Sequence, residues 1–332
     1  EITINGKPVG SSNYDDYEDY YGLDDEENKH PIYDAEYPMF FALKNEKKLL
    51  DTLNSDLSEL ATHLSKQKSD NVKSAVYQMM NQDSFKEMKG LPKYLQVVPI
   101  KTLLSNKIFV NPNESNLDEL LNSMTMDILR GYCSEYEIKP GKSKKATVEI
   151  LLDSPIKTSL DYNQYFRLNP KVREINSHFG EYCQSINQEQ LEKSNITMRN
   201  LTKKLDPDEL NEDEARGNYR LQEYGYSSVV LFKNNKPLFK IMEFSMNAYG
   251  DYVLLLKDGK FLCSQNCRID DFTTMRVSII NEDKKILRQY IINDINNYDL
   301  SELDDKPIVF LSLLNKDYWT LNYETLDEKI IN

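Results

Sequence analysis

Near residue 218 the hydrophobic residues of this chain change their spacing, from a period of about 3.6 to one of about 2. A helix buries one stripe at a 3.6-residue period and a half-buried strand buries every second residue, so this change predicts two kinds of architecture in one chain. The reading is α+β: a helical N-terminal region followed by a β-rich C-terminal domain, sandwich- or barrel-like, from 218 to 332.

On the helical side, Leu49, Leu50, Leu53, Leu57, Leu60, Ala61 and Leu64 predict a helix over 46–66. Val72, Ala75, Val76, Met79 and Met80 predict another over 70–82, with a short third reaching Met88 before Gly90 and Pro92. Residues 94–109 read as extended, because Leu95, Val97, Val98, Ile100 and Ile108 cluster there. A further helix is expected over 171–200, with Val172, Ile175, Phe179, Tyr182 and Ile186 inward. The charged stretch 203–217 reads as a linker, or as an exposed short helix begun at Asp206-Pro207.

On the strand side, three hairpins are expected, turning at Lys233–Lys236, at Lys257-Asp258-Gly259-Lys260 and at Asn281–Lys284. Asp-Gly is the strongest short-range hairpin signal among them. Two more strands are expected at Ile308–Leu314 and Trp319–Tyr323. The domain organisation is then an arm over 1–38, a helical region over 39–116, a helix–loop–helix over 117–153, a helical connector over 154–217 and the β domain.

The 332 residues carry 41 Lys+Arg against 54 Asp+Glu, a formal charge of −13 that argues against a general nucleic-acid coat. Much of that charge crowds between Asn13 and Glu27, where Tyr14, Tyr17, Tyr20 and Tyr21 alternate with carboxylates and almost no aliphatic residue is present to bury. Such an arm is expected to stay solvated or to dock its tyrosines on a basic protein partner. Apolar runs fall short of the ~18 residues of a membrane span, so no membrane partner is expected. The opening Glu1–Ile4 lacks the features of a signal peptide. Four cysteines do not make a disulfide framework, so the expected setting is intracellular, or within a virion.

The most informative segment is 117–153. Ser123 or Thr125 can cap a helix with Met126, Leu129, Tyr132 and Cys133 on its apolar face, followed by Ile138 as a core plug. The loop Lys139-Pro140-Gly141-Lys142-Ser143-Lys144-Lys145 then turns the chain into a second helix, which buries Ala146, Val148, Leu151 and Leu152. Lysines gathered at a turn and a helix start are suited to hold phosphates, helped by the free backbone N–H groups of the helix N-terminus.

This segment resembles the SAP/HeH family of small helix–extended loop–helix motifs. Thr125, Met126, Leu129, Ile138, Lys145, Ala146, Val148 and Leu152 occupy the family's pattern positions, over about a tenth of the chain. It departs from the pattern where Ser143 replaces the expected loop glycine while Gly141 lies earlier, and where Gly131 and Tyr132, unusual there, stand in the middle of the first helix. The resemblance implies contact with AT-rich or structurally unusual DNA, or use of the unit as a docking element, as in viral and phage proteins. Lys139, Lys142, Lys144 and Lys145 are the expected phosphate contacts, with Arg130 beside them. Asp127, Glu135, Glu137 and Glu149 nearly cancel the local charge.

Enzymatic patterns are sparse. His30, His63 and His178 are far apart, Cys263 and Cys267 form one pair without a second, and no phosphate loop, nucleophile elbow or zinc-protease motif occurs. No cofactor and no metal is expected. Asp270, Asp271, Glu282 and Asp283 with Lys284 outline a nuclease-like set, but a polar hairpin turn explains residues 281–284 better. The expectation is a non-enzymatic binding and assembly protein that touches nucleic acid; the alternatives are a purely structural subunit of a virion or large complex, then a metal-dependent nuclease. Abundant Asn, Lys, Ile, Tyr and Asp match the usage of AT-rich genomes, which phages and large DNA viruses often have, as do some protists and bacteria.

Overall fold

The computed structural model describes residues 3–4, 7–8, 29–202, 204–225, 227–246, 251–296, 300–303 and 306–331. Contacts divide the chain into two compact units, one of Asp34–Tyr182 and one of Glu1–Tyr33 with Cys183–Asn332. The chain begins with β1 (Thr3–Ile4) paired to β2 (Lys7–Pro8). The acidic arm's Tyr14, Tyr17, Tyr20 and Tyr21 lie outside the described residues.

The unit of Asp34–Tyr182 is mainly helical. It opens with α1 (Pro38–Asn45), α2 (Lys47–Leu50), α3 (Ser55–Ser65) and α4 (Asp70–Met80). The helix expected over 46–66 is two helices. Thr52 Oγ1 donates back to the Leu49 carbonyl at 2.8 Å, and the Asn54 side chain accepts from Leu57 N–H at 3.0 Å, so one helix ends and another is capped within five residues. Leu57, Leu60, Ala61 and Leu64 are buried as expected, whereas Leu50 is exposed. The α4 stripe of Val72, Ala75, Val76 and Met79 is buried in full.

Two expectations fail next. The stretch to Met88 holds β3 (Lys86–Glu87), not a third helix. The stretch read as extended holds α5 (Lys93–Gln96) and α6 (Ile100–Ser105), with only β4 (Phe109–Val110) at its end. Pro92 and Pro99 are the N-cap residues of α5 and α6, because a fixed φ and a missing N–H are harmless at a helix start. After α7 (Leu117–Ser123), α8 (Met126–Glu135), α9 (Lys144–Leu152) and α10 (Ile156–Ser159) comes β5 (Tyr165–Leu168). β5 pairs antiparallel with both β3 and β4, so the expected helical connector holds the central strand of a small sheet. Helix α11 (Pro170–Lys193) follows, and the boundary between the two units falls within it. Val172, Ile175, Phe179, Tyr182 and Ile186 are buried along it.

Strands start well before 218. β6 (Met198–Asn200) and β7 (Leu210–Arg216) occupy what read as helix end and linker, and with β8 (Tyr219–Tyr224), β9 (Ser228–Lys233) and β10 (Lys236–Met242) they make an antiparallel sheet ordered β6-β10-β9-β8-β7. β7 is polar and charged because it is an edge strand of that sheet. Of the short helix expected at Asp206-Pro207, a single 3₁₀ turn is present at Pro207–Glu209.

A second sheet runs β11 (Tyr252–Leu255), β12 (Phe261–Ile269), β13 (Phe272–Ile280) and β14 (Ile286–Asn293) in sequence order. A third runs β15 (Ser301–Glu302), β16 (Ile308–Ser312), β17 (Tyr318–Asn322) and β18 (Asp327–Ile331). The three expected hairpins form, and Asn234, Asn235, Asp258, Gly259 and Lys284 supply the positive φ angles of their turns.

The β11–β14 sheet is covered on both faces. Leu262, Met275, Val277 and Ile279 share one core with Val309, Leu311, Trp319 and Leu321 of the third sheet. Val253, Leu255, Phe261 and Cys263 share another with Leu221, Leu231, Phe239 and Ile241 of the first. That explains why β13 is buried along nearly its whole length. The β region is therefore layered and sandwich-like, with open sheet edges instead of barrel closure.

Candidate nucleic-acid interface

The segment 117–153 folds as three helices. Leu117, Leu120 and Leu121 of α7, Leu129 and Cys133 of α8, and Val148 and Leu151 of α9 form one core, closed by Phe85, Ile156 and Tyr165. Each fully buried Leu or Val contributes about 1.5–3 kcal/mol, enough for a small core to fix the loop above it. The sequence reading found α8 and α9 as the pair and did not separate α7, although Leu117, Leu120 and Leu121 carry the i, i+3, i+4 signal. Thr125, one of the two expected caps, accepts from Ile128 N–H at 3.5 Å. Burial pushes the Cys133 thiol above its ordinary range, as suits an inert core residue.

The elbow is built by backbone bonds and one close approach. Ile138 N–H donates to the Cys133 carbonyl at 2.7 Å, and Glu137 adopts φ +56°, which reverses the chain after α8. Ile138 is partly buried against the core. Ser143 caps α9 by accepting from Ala146 N–H at 3.2 Å. The fully buried Thr147 donates its hydroxyl toward the Ser143 carbonyl at 2.9 Å and the Gly141 carbonyl at 3.4 Å. A Cβ on Gly141 would lie 2.7 Å from the Ala146 Cβ, so the loop can rest on α9 only without a side chain there. Gly131 meets open space, and Tyr132 Oη lies 3.0 Å from Tyr165 Oη; these two residues therefore do not disrupt α8.

The five cations differ in their surroundings. Lys139, Lys142 and Lys145 are exposed, and none makes an ion pair among the described residues. Lys144 is exposed too, but its Nζ donates to the Asn122 carbonyl at 2.6 Å, where the last turn of α7 presents the negative end of its dipole. Arg130 faces Asp127 at 3.6 Å on α8. Glu135, Glu137 and Glu149 are exposed. This arrangement offers three ammonium groups, without ion pairs among the described residues, around a capped helix start, which is chemistry suited to holding anions.

The nuclease-like set is not brought together. Asp270 and Asp271 lie in the β12–β13 turn, and Glu282 and Asp283 lie in the turn after β13, so a nine-residue strand separates them by roughly 25–30 Å. Glu282 is bound by Lys233 Nζ at 2.8 Å and by Tyr219 Oη at 3.0 Å, and the lysine holds its carboxyl below the usual range. Lys284 Nζ donates to Asn200 Oδ1 at 2.7 Å. Among the described residues no group of three His, Cys, Asp or Glu is placed to hold a metal ion, and no helix is long and apolar enough to cross a membrane. No protein-family model matches the chain, and no curated protein matches it either.

Proposed function

We propose that this chain is a non-enzymatic binding and assembly protein whose α8–elbow–α9 unit contacts nucleic-acid phosphates through Lys139, Lys142 and Lys145. Lys144 shapes the elbow, and Arg130 stands at its margin. The observation that carries the reading is that, among the described residues, those three exposed lysines make no ion pair although the same segment holds Asp127, Glu135, Glu137 and Glu149. Ammonium groups left uncommitted beside a helix N-terminus favour a diffuse anion such as a phosphate backbone.

Titration of an AT-rich duplex at several salt concentrations tests it. Affinity should fall with salt, and the slope should shrink by about one for each of Lys142→Ala and Lys145→Ala. A chain that does not bind at low salt would leave the second reading, a structural subunit of a virion or large complex. That reading is favoured by β18, an edge strand on which Ile330 and Ile331 are 64% and 49% exposed.

A further inference from the structure

The helical unit carries a second basic surface, apart from the elbow in sequence. α1, the end of α3 and the start of α4 enclose a groove of about 890 Å³, within the roughly 300–1,000 Å³ range of ligand pockets. Tyr37, the N-cap of α1, lines it with Phe41 and Lys44 at steps of four and three, so the three share one helix face over about 10 Å. Phe41 is partly exposed, and its ring meets no other ring and no cation among the described residues. Lys44, Lys66 and Lys68 stand exposed on the groove, and none of them makes an ion pair among the described residues. Lys73 is already engaged, with Asp70 at 2.8 Å and with the Tyr37 ring, whose centre is 5.2 Å away. That leaves Glu36 as the remaining lining acid against three lysines.

Lysines beside an open ring select a ligand that offers anions and planar faces together. A single-stranded nucleic acid does so at every nucleotide, whatever its sequence. A duplex keeps its base faces in the stack and offers phosphates alone. An extended peptide must also pair its own N–H and C=O groups, and none of the groove's lining residues lies in a strand whose edge could take them. We propose that this groove binds single-stranded nucleic acid, with a base stacked on Phe41 and neighbouring phosphates held by Lys44, Lys66 and Lys68. The elbow reading is not a premise of this site, because the groove shares no residue with α8, α9 or the loop between them.

The test adds a short fluorescent oligothymidylate to the full chain and follows its anisotropy. Affinity should fall with salt, and by about tenfold or more in the Lys66→Glu, Lys68→Glu double variant. Both positions are exposed, so the variant's far-ultraviolet dichroism should match the parent. Phe41→Leu keeps an apolar side chain and removes the ring, and should weaken binding about tenfold. An abasic strand of the same length, which has the phosphates without the bases, should bind the unaltered protein about tenfold more weakly than oligothymidylate. Lys142→Ala should leave that preference for bases unchanged, which separates the groove from the elbow. Loss of duplex binding with oligothymidylate binding retained would overturn the elbow reading alone. No binding of oligothymidylate at low salt, equal binding of the abasic strand, or full affinity in the double variant overturns the groove assignment. So does an acidic tyrosine-bearing peptide that displaces the strand from the parent and fails to bind the double variant, since the groove would then be a peptide site.

Discussion

Gly141 and Ala146 are in contact across the elbow: a Cβ added to the glycine would sit 2.7 Å from the Ala146 Cβ and from the Ala146 carbonyl carbon. The loop that displays Lys139 and Lys142 therefore lies directly on the first turn of α9. Gly141→Ala should force it away and destabilise the helical unit by about 1–3 kcal/mol, read as a lower thermal midpoint. Nucleic-acid affinity should fall in the same variant although no lysine has been removed, because the ammonium groups would lose their fixed spacing.

Lys144 and Lys142 should behave differently when truncated. Lys144 Nζ donates to the Asn122 carbonyl, tying the start of α9 to the end of α7. Lys144→Ala should cost about 1 kcal/mol in urea unfolding, while Lys142→Ala should leave stability within experimental error. Equal stability losses would show that the Asn122 bond holds nothing together.

Asp251 is expected to give the β-rich unit a pH-dependent stability. Burial pushes its carboxyl up to about 6, against the Asn266 N–H at 2.8 Å and the positive charge of Arg276, which favour ionisation, while Glu243 adds to the rise. Between the unfolded value of about 3.9 and that folded value, the native chain keeps a proton the unfolded chain has released. Stability from this group is thus full below pH 4 and lost as pH rises to about 6, by about 3 kcal/mol. Asp251→Asn should flatten that part of the profile and be the more stable protein at pH 7. Depressed carboxyls such as Asp56 and Glu282 slope the opposite way but are common to both proteins, so the difference between the two curves isolates Asp251.

Arg276 is a buried cation that serves as a structural clamp. Its guanidinium donates to Gln265 Oε1, to the Leu191 carbonyl, and to the Ser194 carbonyl and hydroxyl at 3.0 Å each, joining β13 to the C-terminal end of α11. A cation there also meets the negative end of the helix dipole. Arg276→Met should cost about 3 kcal/mol or more, because buried acceptors are left without donors. Arg276→Lys should recover only part of that, since an ammonium cannot reproduce the planar fork. Chemical denaturation of the three proteins measures the order.

The sequence by itself determined the elements whose signal is local. The stripes of α3 and α4, the cap Thr125 (one of two candidates), the start of the second helix near Ser143, and the hairpin turns at Asn234-Asn235 and Asp258-Gly259 depend on neighbours within a few residues, and they stand where periodicity and turn chemistry put them. The elbow lysines were legible for the same reason, as a cluster between two amphipathic runs. Only the tertiary structure decided the rest. Lys86–Glu87 and Tyr165–Leu168 are strands because each finds a partner across the fold, and no local preference announces a partner nearly eighty residues away. Polar β7 became a strand by pairing with β8, and Val97, Val98 and Ile100 lie in or beside short helices because Pro92 and Pro99 start those helices and the core accepts Leu95 and Leu103. Which lysines stay uncommitted was likewise a matter of packing: Lys144 reaches a carbonyl of α7 that became its neighbour only when three helices closed on one core.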